Sequence, residues 1–228
     1  MENVNKRQWK INKILYFLFK ERFRRKIEFN FPENVNRWDL INKIIDIKNF
    51  SSYLEIGCDD DHAFSKIRLT NKIGVDPYSG GNFRGTSDQF FSQNNKKFDC
   101  VFIDGLHEYD QVNKDILNSL DNLNENGIIL LHDCLPKSMS QQAVPRHQWV
   151  WNGDVWKCIV KYRCRKDLDI VTCKIDQGIS AIRKMNNKAP FDLNIQNFKN
   201  LKFKYFFYNH INYMRILSYE SFIEYIKD

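Results

Sequence analysis

A doubly wound, mostly parallel α/β sheet that ends in one antiparallel hairpin is the fold the sequence predicts, with helical additions at both ends of the chain. Two observations carry this expectation. Apolar runs recur through the middle of the chain, in SYLEIG (52–57), KIGVDP (72–77), FDCVFIDG (98–105) and NGIILLHD (126–133). Each is apolar on both faces, as a strand buried between two helical layers must be, and each is separated from the next by a segment able to hold a helix. LDIVTCKI (168–175) and QGISAIRK (177–184) then follow one another with no room for a crossover, so only a hairpin can join them.

The helices follow from spacing. Residues 1–49 form a basic amphipathic extension in which Ile11, Ile14, Leu15, Leu18 and Phe19 recur at helical intervals between lysines and arginines. We expect this helix to pack on its own domain or on a partner subunit, with a membrane surface or nucleic acid as alternatives. A second helical pattern runs through Trp38, Ile41, Ile44 and Ile45. Between the strands, helices are expected at 87–93, at 108–123 with Val112, Ile116 and Leu120 on one face, and at 153–165. Residues 50–185 make the central domain, and 186–228 a C-terminal extension whose aromatic-rich run 203–226 reads as helix. Its aromatic positions suit core or dimer contacts better than a cofactor box.

A chain of 228 residues, 43% hydrophobic and 14% aromatic, can bury one sizeable core and is short for two. Its six cysteines, 58, 100, 134, 158, 164 and 173, contain no CxxC pair, which points to reduced thiols in a reducing compartment. The apolar run ILYFLF (14–19) is far shorter than the ~20 residues that span a bilayer, so no leader or anchor is read here and a cytoplasmic location is expected. The net charge of +7 is localised: residues 1–27 hold nine Lys and Arg against two Glu, and the rest of the chain holds 26 of each sign. A basic arm on a neutral body, without an aromatic RNA-binding motif or a zinc finger, argues against a nucleic-acid partner and leaves packing on the domain or a partner subunit as the expected use of the arm, with peripheral membrane contact as the alternative.

In an open parallel sheet, ligands sit above the carboxyl ends of the strands. Four successive strands place Glu55, Asp76, Asp104 and Asp133 there, predicting an acidic mouth. Such a mouth repels phosphate and attracts a ligand carrying a sulfonium and an amine. A carboxylate closing the second strand, Asp76, can accept hydrogen bonds from a ribose diol. The first turn, EIGCDDDHA, lacks the GxGxxG needed for close approach to a pyrophosphate, which disfavours a dinucleotide.

Taken together, YLEIG, KIGVDP, TSDQFF, FDCVFIDGLHEYDQV, NGIILLHDCLP and WNGDVWK resemble the class I S-adenosylmethionine-dependent methyltransferases. The resemblance is nearest to small bacterial sugar and macrolide-sugar O-methyltransferases with a DGxHxY signature, and covers about residues 50 to 184. It implies a Rossmann-like domain with S-adenosylmethionine as cofactor. Glu55 and Gly57 would lie beside its methionine part, Asp76 would hold the ribose, Ser87 and Asp88 would border the adenine, and Asp104 would complete the cofactor site. Where the family usually has a second glycine after the first strand, this sequence has Asp61 and His62.

Methyl transfer to a hydroxyl needs in-line approach to the sulfonium and removal of the hydroxyl proton. His107, three residues beyond Asp104, takes the place of the presumed base in the similar enzymes; its other reading is a cap for the helix starting near Glu108. Asp104 and Asp133 are the catalytic carboxylates and candidate magnesium ligands, with His132 as a further ligand or a buttress and Cys134 as a bystander. The segment 135–157 is long for a loop between strand and helix, and Arg146, His147, Trp149 and Trp151 suit either an acceptor lid or a dimer contact. The expected function is methylation of a hydroxyl on a sugar, nucleotide-linked sugar or glycan precursor by a chain able to form a homo-oligomer. A nicotinamide-dependent oxidoreductase on the same fold and a non-catalytic membrane-associated binding protein are the alternatives.

Overall fold

The computed structural model describes residues 6–193 and 195–228. Its sheet has eight strands: β1 (Tyr53–Ile56), β2 (Lys72–Asp76), β3 (Phe83–Arg84), β4 (Phe98–Ile103), β5 (Leu123–Leu131), β6 (Leu168–Cys173), β7 (Ile179–Lys184) and β8 (Ile216–Leu217). They lie in the order β3-β2-β1-β4-β5-β7-β6-β8. The pairs from β3 through β5 are parallel, β7 runs antiparallel to both β5 and β6, and β8 is parallel to β6. The chain leaves β1 towards β2 on one side and returns to β4 on the other. A crevice therefore opens above the ends of β1 and β4.

Residue parity explains why the strands read as uniformly apolar. Leu54, Ile56, Val101, Ile103, Ile129 and Leu131 face one core, and Tyr53, Cys100, Phe102, Ile128 and Leu130 face the other. The first core is covered by α3 (Ser87–Gln93), α4 (Tyr109–Asp121), α5 (Trp156–Arg163) and α6 (Phe203–Met214). The second is covered by α2 (Arg37–Lys48) and α7 (Tyr219–Lys227), through Leu40, Ile41 and Ile44 on one side and Phe222 and Ile226 on the other. With apolar cover on both faces, no polar alternation survives.

Local signals set the helix ends. Asp39 accepts the Asn36 backbone N–H at 3.0 Å at the start of α2, which stops at Asn49 in the left-handed region (φ 55°). Thr86 and Gln89 close a reciprocal capping box on α3. The C-terminal tail divides where a single helical run was expected: Arg215 adopts φ 45°, β8 pairs with β6, and Ser218 caps α7. A two-residue strand is too short to leave a periodic signature. The predicted helix at 153–165 forms only as α5, because Asp154 is committed to the turn before it, its backbone N–H donating to the His107 carbonyl.

The N-terminal helix, α1 (Lys6–Phe19), departs from expectation. It turns Trp9, Asn12 and Tyr16 inward, and Tyr16 is its one buried residue, while Ile11, Ile14, Leu15, Leu18 and Phe19 are exposed. The apolar stripe read as a packing face thus points away from the chain's own domain. Two inward positions supply the attachment: Asn12 donates to the Arg146 carbonyl, and the Tyr16 hydroxyl accepts from Gln142. Among the described residues no helix is long and apolar enough to cross a membrane, and all six cysteines are free thiols.

Candidate active site

The crevice is a cleft of about 780 Å³ at the carboxyl ends of β1, β2, β4 and β5. Of the residues singled out from the sequence, Glu55, Gly57, Asp76, Ser87, Asp104, His107 and Asp133 line it, and Asp88 does not. Gly57 sits at φ +87° with the loop after β4 pressed against it, so that a Cβ there would lie 2.4 Å from the Asp104 carbonyl oxygen. Only glycine lets these two strand ends meet so closely.

Each carboxyl group on the rim is held differently. Glu55 is buried, accepts the Tyr53 hydroxyl at 2.5 Å, and is pushed up to about 8, chiefly by burial. Asp76 accepts four backbone N–H groups, from Cys58 and Asp59 on one side and Tyr78 and Ser79 on the other, at 2.8 to 3.1 Å. Four donors match the acceptor sites of a carboxylate, so Asp76 pins the loops after β1 and β2 together. In the loop after β1, Asp59 and Asp61 take positive φ where a glycine was expected, and Asp61 accepts the Gly81 N–H at 2.6 Å. Aspartate tolerates the left-handed region better than most residues, which explains how the turn forms without a second glycine.

At the far end of the cleft, Ser87 opens α3 and accepts from Gln111 at 3.1 Å. The same amide donates to Asp88 and to the buried Asp115, whose carboxyl burial pushes up to about 6. Asp88 itself is turned to solvent, where it pairs with Lys114.

The centre of the cleft is a network of opposite charges. His107 Nε2 lies 3.3 Å from Asp104 and its Nδ1 3.0 Å from Asp133. His132 Nδ1 lies 3.0 Å from Asp104, and its Nε2 lies 2.7 Å from the Asp176 carbonyl oxygen. The Arg37 guanidinium joins Asp104 to Asp176. Burial opposes charge on His107, but Asp133 and Asp104 outweigh it and hold the imidazole up at about 10. His132 is raised for the same reason, while His132, His107 and Arg37 hold Asp104 well below the usual carboxylate range despite burial. Three carboxylates, Asp104, Asp133 and Asp176, thus stand against three cations. The strongly acidic mouth read from the strand ends is corrected here: this part of the rim is balanced, and Glu55 is largely protonated at neutral pH.

Asp104, His107 and Asp133 each offer an atom within 4.8 Å of the others, a spacing that could hold a metal ion. Two carboxylates suit magnesium, and the imidazole nitrogen widens the choice to ions such as manganese. Any such ion would have to displace the His107 proton.

Above this centre the long segment after β5 folds over as turns. Trp151 stacks on His107 with ring centroids 5.3 Å apart, and the Arg146 guanidinium lies 5.5 Å from the Trp151 ring. Asn152 donates to Asp133 Oδ1 at 3.0 Å. Gly153 (φ +58°) packs so tightly on the His107 backbone that any Cβ would collide with it. Of the four residues expected to form a lid, Arg146 and Trp151 line the cleft, whereas Trp149 is exposed and His147 lines a separate groove behind the segment.

Sequence reasoning missed Arg37, Asp115, Asn152 and Asp176. A signal existed for Asp176, since the turn of a hairpin whose return strand is antiparallel to β5 must lie at the carboxyl rim. Nothing local marks the others, which reach the site only through tertiary packing.

Residues 56–134 match the family model described as a methyltransferase domain. The chain therefore carries a methyltransferase domain. The match runs from the last residue of β1 to the residues just beyond β5, a stretch that supplies Gly57, Asp76, Ser87 and the Asp104–His107–Asp133 group. No curated protein matches the sequence. Among solved structures, the S-adenosylhomocysteine-bound methyltransferase PaMTH1 of Podospora anserina is similar at 14% identity and a TM-score of 0.51, over 82% of this chain and 99% of that one. The O-methyltransferase TomG of Streptomyces achromogenes, involved in tomaymycin synthesis and solved with S-adenosylmethionine, is similar at 10% identity and a TM-score of 0.51, over 80% and 100%. At such identities the likeness establishes the fold, and the methyltransferase domain takes this Rossmann-like architecture.

Proposed function

We propose that the protein is an S-adenosylmethionine-dependent O-methyltransferase whose acceptor is a hydroxyl of a sugar or glycan precursor. The observation that carries this reading is one cleft with two ends. Glu55, Gly57, Asp76 and Ser87 line the stretch from β1 to α3, where the cofactor would lie, and it opens onto the Asp104–His107–Asp133 group beneath Arg146 and Trp151. A carbohydrate acceptor is favoured by Trp151 and Arg146 over the charged centre, because an aromatic face stacks on a sugar ring and a guanidinium binds its hydroxyls.

Asp76 would hold the ribose only by exchanging some of its backbone donors, those of Tyr78 and Ser79 on Oδ1 or those of Cys58 and Asp59 on Oδ2, for the diol. Glu55, neutral near pH 7, can donate a hydrogen bond as well as accept one. His107 is the proposed base, but with its proton held by two carboxylates it must first lose that proton to act. Asp104 and Asp133 would hold a divalent cation, which when bound supplies orientation and acidification of the acceptor hydroxyl. Asn152 and Trp151 keep the His107 ring and the Asp133 carboxylate in register. Calorimetry with S-adenosylhomocysteine, with and without magnesium or manganese, tests the reading. Stoichiometric binding that is lost in Gly57→Val supports it, and no binding under either condition overturns it.

A further inference from the structure

Beyond the active cleft, the N-terminal arm and the far side of the lid segment form a second recess of about 1060 Å³. Its floor is apolar, with Phe17, Phe23, Ile27 and Met139, and its rim carries Lys13, Arg24, Arg25, Lys26 and Lys137. Beside it, the outward stripe of α1 exposes Ile14 at 60%, Leu18 at 50% and Phe19 at 76%, and the lid adds Trp149 at 61% and Val150 at 52%. The two parts touch, since the Trp9 and Trp149 rings meet edge to face at 5.2 Å. An apolar stripe at helical spacing, set in the segment that holds the chain's whole net positive charge, is the pattern of a helix lying in a lipid interface.

A separate feature points to a ligand in the recess. His147 is 6% exposed and lies on the recess wall, yet neither ring nitrogen has a hydrogen-bond partner among the described residues. Buried polar groups are nearly always satisfied, and an orphaned imidazole beside a basic rim suits a phosphate oxygen as its acceptor.

We propose that the outer stripe of α1 and the recess behind it form a docking surface for an anionic lipid bilayer, with the recess taking the phosphate and first methylenes of one lipid. The stripe enters the acyl boundary, the Lys and Arg side chains meet the headgroups, and His147 donates to the phosphate. The 146–151 segment separates this recess from the cleft that holds the methyltransferase centre, with Arg146 and Trp151 on the cleft side and His147, Gln148 and Val150 on the recess side.

The test is co-sedimentation of the full chain with phosphatidylcholine vesicles and with vesicles containing about 30 mol% phosphatidylglycerol, a composition that sets the negative surface potential. Binding is expected to the anionic vesicles only. The exposed pair Ile14→Glu and Leu18→Glu should remove it, and Arg24→Glu with Lys26→Glu should weaken it by about tenfold or more. Circular dichroism of each variant shows that the fold is kept. His147→Phe should weaken binding severalfold, and unchanged binding in that variant would overturn the placing of phosphate in the recess. Equal binding to both vesicle types, no binding to either, or a solution dimer in sedimentation velocity that Leu18→Glu dissociates would each overturn the docking proposal.

Discussion

Replacing Asp133 by asparagine should lower the midpoint at which His107 loses its proton. Asp133 lies 3.0 Å from Nδ1 and Asp104 3.3 Å from Nε2, and together they hold the imidazole at about 10 against burial. A unit charge pair at 3 Å is worth about 5 kcal/mol at an effective dielectric near 20, before burial takes part of it back. Carboxylates at this range move a partner by about 1–3 pH units, so removing one of two should bring the midpoint down to about 8. Asparagine keeps the shape and can still meet Asn152, so the change is one of charge. At pH 7 the neutral fraction of His107 would rise about a hundredfold, since each pH unit is a factor of ten. The assay is an NMR titration of ring-labelled histidine in the presence of chelator, with His107→Gln assigning the signal. A midpoint within half a pH unit of the parent would refute the assignment of Asp133 as the main counter-charge, and a rise would refute the electrostatic reasoning altogether.

Other perturbations bear on other parts of the site. Arg37→Ala leaves Asp104 and Asp176 without their shared cation and should cost about 3–5 kcal/mol in urea unfolding, the usual penalty for breaking a largely buried pair. A loss under 1 kcal/mol would show that the two histidines suffice. Asp76→Asn should weaken S-adenosylhomocysteine binding by about 10- to 100-fold and lower Tm as well, because the same carboxylate satisfies four backbone donors; an unchanged Tm would sink the structural half of that statement. Glu55 is raised in the folded state to about 8, so the fold binds more protons than the unfolded chain between its ordinary value and that point. Its contribution to stability is present in full below the unfolded value and is lost as pH rises through about 8. Glu55→Gln should therefore flatten the decline of stability over this window, read by denaturant unfolding at several pH values.

The sheet was legible because its physics is local. A strand covered on both faces reads as an unbroken apolar run, and the single residue between the 168–175 and 177–184 runs left only a hairpin. The strand-end acids were legible too, since β1, β2, β4 and β5 all finish at one rim. Their charge states were not, because those depend on partners far away in sequence. Arg37 is the first residue of a helix built from an ordinary capping box, and nothing in NRWDLI distinguishes it from a solvated arginine. It reaches Asp104 because Leu40, Ile41 and Ile44 pack α2 against β1 and β4, which sets its N-terminus over the crevice. The α1 stripe failed in the opposite way: spacing identified an apolar face correctly and could not say towards what it turns.

The balanced charge at the centre alters how a positively charged methyl donor would be selected. With Asp104, Asp133 and Asp176 matched by Arg37, His107 and His132, the net field there is small, and Glu55 adds little at neutral pH. Discrimination against a pyrophosphate must then come from the other end of the cleft, where Asp59, Asp60 and Asp76 line the loops after β1 and β2 without an equal number of cations beside them. Asp76 in particular holds the backbone N–H groups of Cys58 and Asp59, the donors that a phosphate would need at this turn. The missing glycine motif and the occupied amides thus act in the same direction. A pyrophosphate would meet fixed negative charge with the Cys58 and Asp59 amides already taken by Asp76, whereas a sulfonium and an amine require no such donor.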